Sequence, residues 1–147
     1  MCILNLMIFC LTVPFALSAS AASADPILSE RGLLEECSAF SQAGMRDCLA
    51  AKAEASLSAL RQAEEMGARR LSRWDEDIQY VKRAKARLVA ANTDFARYRD
   101  AQCQFSASLS GGGAGNGHEM GRLACLASLN NRRAEQLREA LFDLPVK

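Results

Sequence analysis

The chain has one histidine, His118, and no Cys-x-x-Cys pair. Zinc sites draw on closely spaced cysteines and histidines, so no zinc or other metal centre is expected. No cysteine or second histidine adjoins His118, which argues against Ser-His and Cys-His catalysis; no catalytic residue is assigned. The GGGAG run at 111–115 lacks a following Gly-Lys-Ser/Thr and a preceding strand pattern. A phosphate loop is therefore excluded, and no cofactor is expected. Strand-like alternation and β-branched runs are missing after Ala24, which leaves an all-α chain. Net charge is nearly absent too, at +1. Such a balance gives no footprint for nucleic acid or an anionic membrane.

Residues 1–24 contain no Lys, Arg, Asp or Glu. Cys2 to Leu17 is almost wholly apolar, and small residues with an A-x-A pattern follow at 18–24. This reads as a secretory signal peptide cleaved after Ala24. The missing basic n-region keeps an uncleaved signal-anchor as the alternative, although the apolar stretch is short for a membrane span. Neither Cys2 nor Cys10 follows a lipobox run. The expectation is a signal peptide at 1–24 and a single helical domain at 25–147. The product is periplasmic or secreted and has no stable membrane anchor after cleavage.

Four cysteines remain in that domain: Cys37, Cys48, Cys103 and Cys125. An even number in an exported chain reads as two disulfides. Ser29 to about Met66 is rich in Ala, Leu, Glu and Gln and carries an apolar stripe at spacings of three and four, which predicts one long helix. Gly44 in that helix suggests close approach of a neighbouring helix. Gly67 and the basic residues after it read as a bend. Ser72-Arg73-Trp74-Asp75 resembles a capping box opening a second helix, with Asp75, Glu76 and Asp77 in its first turn. Its stripe is Trp74, Ile78, Val81, Leu88, Ala91, Phe95, Tyr98, Gln102 and Phe105, the strongest periodic signal in the chain. Residues 106–117 read as a Gly-rich loop. A third helix starts near His118, with Leu123, Ala127, Asn130, Ala134, Leu137 and Leu141 inward, and ends at Asp143-Leu144-Pro145.

The predicted architecture is a three-helix antiparallel bundle stapled by two disulfides. On a continuous first helix, Cys37 and Cys48 would stand about 16 Å apart at 1.5 Å per residue. A disulfide needs Cα atoms within about 7 Å, so those two are not expected to pair. Folding the helices alongside one another favours Cys37–Cys103 and Cys48–Cys125.

Several of these residues carry a family resemblance. Cys37, Gln42, Met45-Arg46-Asp47-Cys48, Tyr98-Arg99-Asp100-Ala101-Gln102-Cys103, the Gly-rich loop and Cys125-Leu126-x-x-Leu129-x-x-x-Arg133-x-x-x-Leu137 resemble the LprI-type lysozyme inhibitor N-terminal domain family. The similarity spans about Cys37 to Leu141. The chain departs where the family often has Trp (here Phe95), Thr (Asn130) and Ser (Gly113), and the Leu-Asn-x-x-Tyr motif survives only as Leu57-Ser58. The resemblance implies an exported helical domain, and for some relatives the binding and blocking of lysozyme. The expected function is thus a non-enzymatic exported binding protein whose protein partner is a lysozyme, blocked at its active-site cleft. Candidate partner-binding residues are His118, Arg99 and Arg133. For Arg99 the structural reading is an ion pair with a carboxylate of the first helix. The alternative function is a structural or envelope protein-interaction module that uses the basic face from Arg69 to Arg87.

Overall fold

A computed structural model describes residues 28–112 and 115–147. The proposed signal segment, with Cys2 and Cys10, lies outside the described residues, as do Gly113 and Ala114 of the Gly-rich loop. Among the described residues the fold is all-α, with four helices: α1 (Glu30–Cys37), α2 (Gln42–Ser72), α3 (Ile78–Ser108) and α4 (Gly117–Phe142).

The expected first helix is in fact two. Ser29 caps α1 by accepting the Gly32 amide at 3.1 Å. Ser38 closes α1, its hydroxyl donating to the Glu35 carbonyl at 2.7 Å. Ser41 then opens α2 by accepting the Gly44 amide at 3.3 Å. Ser38 and Ser41 thereby satisfy backbone groups at the helix ends that the break exposes. The chain reverses there, and α1 folds back beside the start of α2.

That reversal overturns the expected disulfide pairing. Cys37 pairs with Cys48 across the α1–α2 corner, with Cα atoms 5.8 Å apart. Cys103 pairs with Cys125 across the α3–α4 hairpin, at 5.4 Å. The separation of about 16 Å expected of a continuous helix does not arise, because the helix breaks between Cys37 and Gln42. All four thiols are joined, as two disulfides require, but within neighbouring segments.

The principal seam runs between α2 and α4, which lie parallel. Ser56 meets Asn130 and Gly67 meets Leu141, each 74 positions apart, so the register holds along the seam. Leu60, Ala63, Ala134 and Leu137 form one buried cluster. Leu33, Cys37, Leu49, Leu123, Ala124 and Ala127 form a second, which seats α1. Small residues at Ala63, Gly67, Ala127 and Ala134 bring the two helices close. Gly67 is therefore no bend: a Cβ there would lie 3.0 Å from Leu141 Cδ1 and 3.4 Å from Leu88 Cδ2. The close approach expected at Gly44 is found here instead. Gly44 faces Phe40 of its own N-terminal corner.

The α2–α3 turn also differs from expectation. Ser72 belongs to α2 and bonds back to the Ala68 carbonyl. Asp77 is the N-cap of α3 and accepts the Gln79 amide at 2.9 Å. The C-terminal tail straps this turn. The Asp75 amide donates to Pro145 O at 2.9 Å and the Lys147 amide to Arg73 O at 2.8 Å, around an isolated antiparallel bridge between Trp74 and Val146. Arg70 donates to the carbonyls of Phe142 and Leu144, and Arg73 to that of Lys147.

Helix α3 packs mainly on α4. Of its predicted stripe, Val81 is buried, while Leu88 and Phe95 lie half-buried against the core. Ile78, Tyr98 and Phe105 are exposed. Phe95 and Tyr98 thus do not share one buried face. A helix with a neighbour on one side buries only the portion of an apolar band that looks that way.

Candidate partner-binding site

Because α2 and α3 touch each other little, α4 forms the floor of an open groove between them. Its wider section, about 500 Å³, is walled by Glu54 and Leu57 of α2 and by Arg99, Asp100 and Gln104 of α3, over Leu126 and Asn130 of α4. Arg122 of α4 and the Cys103 end of the disulfide close one side. A narrower section, about 340 Å³, continues past Leu57 and Arg99 to Glu64, Asn92 and Phe95.

The groove is built on a buried polar spine. Asn130 is 2% exposed. Its Nδ2 donates to Ser56 Oγ at 3.1 Å, and its Oδ1 accepts from Arg99 Nη1 at 3.3 Å. Ser56 donates onward to the Ala53 carbonyl at 2.7 Å. One amide thereby ties α2, α3 and α4 together, and each residue of the spine has a partner, as burial requires. Arg99 also grips Asp100 Oδ1 through Nε and Nη2, at 2.9 and 2.7 Å. The expected carboxylate on the first helix is not its partner. Adjacent residues diverge at the backbone, but the guanidinium is long enough to fold round to its neighbour.

Arg133 has a similar role farther along α4. Its Nη2 donates to Asn92 Oδ1 at 3.2 Å, and its guanidinium lies 5.7 Å from the Phe95 ring centroid. Glu64 faces this region from α2. Burial pushes its carboxyl above the usual value, and the nearby Arg133, Arg99 and Arg61 only partly offset that. Glu119 goes the other way: its paired hydrogen bonds from Arg122, at 2.9 and 2.8 Å, hold it below the usual value.

The three candidate residues therefore separate. Arg99 and Arg133 lie together along the α3–α4 contact and hold the groove's shape. His118 stands apart, on the first turn of α4, with its Nε2 2.8 Å from the Gly111 carbonyl. Ser56, Glu64 and Arg122 escaped the sequence reading. The Glu119–Arg122 spacing of three was a usable helix-pair signal; Ser56 gave none.

The basic run is largely occupied. Arg70 and Arg73 hold the C-terminal tail, Arg69 pairs with Glu65, Lys85 donates to Ser72, and Arg83 lies over Tyr80.

A family model described as Lysozyme inhibitor LprI matches residues 36–137. The chain belongs to the LprI lysozyme inhibitor family. The matched span takes in both disulfides and every wall of the groove. The Arg99, Asp100 and Cys103 of the resemblance motif converge on this groove, while Tyr98 lies exposed outside it. No curated protein and no solved structure gives a significant match. The disulfides of this LprI-family chain fit an oxidising compartment, and no described helix is long and apolar enough to cross a membrane.

Proposed function

We propose that this chain is an exported, non-enzymatic protein that binds a lysozyme and blocks its active-site cleft. The family match over residues 36–137 carries the reading. Lysozymes work with two carboxyl groups flanking the scissile bond. A competitor needs a donor or cation held out on a rigid support. His118 has that setting. It stands at the end of the α3–α4 hairpin, whose stems are joined by Cys103–Cys125. Its contact with the Gly111 carbonyl positions the ring before any partner arrives, which lowers the ordering cost of binding. Arg99 and Arg133 act in this reading as supports that keep α3 on α4. A net charge of +1 offers no long-range steering toward basic lysozymes, so recognition rests on contact.

The test compares the oxidised mature protein with its His118→Ala variant against animal and bacterial lysozymes. Loss of one polar contact in the cleft should weaken inhibition by about tenfold, with an unchanged far-UV spectrum. Equal potency of the two proteins removes His118 from the role. Absence of inhibition by either at micromolar concentration removes the function.

A further inference from the structure

Helix α3 carries a second surface, turned away from the groove. Groove-facing Thr93, Asp100 and Gln104 lie roughly 140° around the helix from Tyr98, at 3.6 residues per turn. On that outer side Tyr80, Tyr98 and Phe105 are 46%, 55% and 58% exposed. They belong to one row with steps of four and three: Tyr80, Ala84, Arg87, Ala91, Asp94, Tyr98, Ala101, Phe105. That is the seam spacing of paired helices; Tyr98 and Phe105 are left largely open by the described chain, and Tyr80 carries the Arg83 guanidinium over its ring.

The row is self-complementary when reversed. Placed antiparallel about a two-fold axis between positions 91 and 94, Tyr80 comes level with the partner's Phe105 and Ala84 with the partner's Ala101. Arg87 comes level with the partner's Tyr98, in reach of a cation–π contact. It also stands about 6 Å along the axis from the partner's Asp94, at 1.5 Å per residue, within the length of an arginine side chain. The alanines permit close approach at the matching layers. A parallel, in-register pair would instead set Arg87 on the partner's Arg87 and Asp94 on the partner's Asp94, which repel. Arg87 enters no salt bridge among the described residues, whereas Asp94 pairs with Arg97.

We infer that the outer face of α3, from Tyr80 to Phe105, binds a second copy of this chain in an antiparallel, two-fold dimer. The interface is isologous, and it leaves both grooves and both His118 residues open. The inference does not depend on lysozyme binding.

Sedimentation velocity of the mature, oxidised protein across the micromolar to submillimolar range tests it. The wild type should show a concentration-dependent monomer–dimer equilibrium. Arg87→Glu should weaken the dimer by at least about tenfold, since it sets like charges together. The exchange Arg87→Glu with Asp94→Arg should recover most of that loss. Tyr98→Arg, which sets like charges together at the layer that meets Arg87, should leave a folded monomer by circular dichroism. A wild type that stays monomeric throughout overturns the inference. So does a dimer indifferent to Arg87→Glu, or one that the paired exchange fails to restore.

Discussion

Asn130→Ala is the sharpest probe of how the groove is held. Asn130 is fully enclosed and makes two hydrogen bonds, one to Ser56 Oγ and one from Arg99 Nη1. The Ser56 bond is neutral and contributes about 1 kcal/mol; the Arg99 bond involves a charge and contributes about 1.5 kcal/mol or more. Truncation also leaves a void of about 25 Å³, which adds about 0.6 kcal/mol. Ser56 keeps its bond to the Ala53 carbonyl and Arg99 keeps Asp100, so neither is orphaned outright. The sum is about 3 kcal/mol, or a fall in Tm of about 10 °C for a chain of this size. Urea unfolding should show the loss in midpoint with the slope unchanged. Asn130→Thr keeps a hydroxyl and should recover some of it. A double-mutant cycle with Ser56→Ala should return a coupling of about 1 kcal/mol. A cost below about 1 kcal/mol for Asn130→Ala, or full additivity with Ser56→Ala, would refute the spine.

Other outcomes follow from the same geometry. Gly67→Val forces a branched side chain against Leu141 and Leu88 and should cost about 2 kcal/mol in chemical denaturation. Produced as residues 25–147, without Cys2 and Cys10, the Cys37→Ser/Cys48→Ser double variant should lose about 3 kcal/mol by loop-closure entropy yet titrate with no free thiol, because Cys103–Cys125 stays closed; free thiols in that variant would restore the rejected pairing. Glu119→Gln should destabilise at neutral pH. The folded pKa of Glu119 is lowered, so its contribution is present above the unfolded value and lost as pH falls through the folded one. Glu64→Gln should run the other way. Its folded pKa is raised, so ionised Glu64 opposes folding at neutral pH, and the variant should gain stability there, a gain that fades in acid. Thermal melts across that pH range check both signs.

The all-α class, the position of α4 and the four disulfide cysteines were legible because they rest on composition and on strong periodicity. The α1–α2 corner was not. Ser38-Ala39-Phe40-Ser41 sits inside a run of good helix formers, and serine is tolerated within helices as well as at their ends. A signal did exist: Ser41 precedes Gly44 as Ser29 precedes Gly32, and both serines cap those glycine amides. Missing that corner alone produced the wrong disulfide partners. The α3 stripe misled for another reason. Steps of three and four describe a core face and a neighbouring exposed face equally well, and only the placement of α4 tells Phe95 from Tyr98. The acceptors of Arg99 were out of reach for a similar reason, since one of them depends on Asn130 lying opposite, a fact of tertiary register.

The most direct measurement is a titration of lysozyme turnover on cell-wall substrate with the oxidised mature protein. A blocked cleft predicts progressive loss of turnover that excess substrate relieves, as competition requires. Unchanged turnover of both animal and bacterial lysozymes at micromolar concentration, or inhibition that substrate cannot displace, would contradict it.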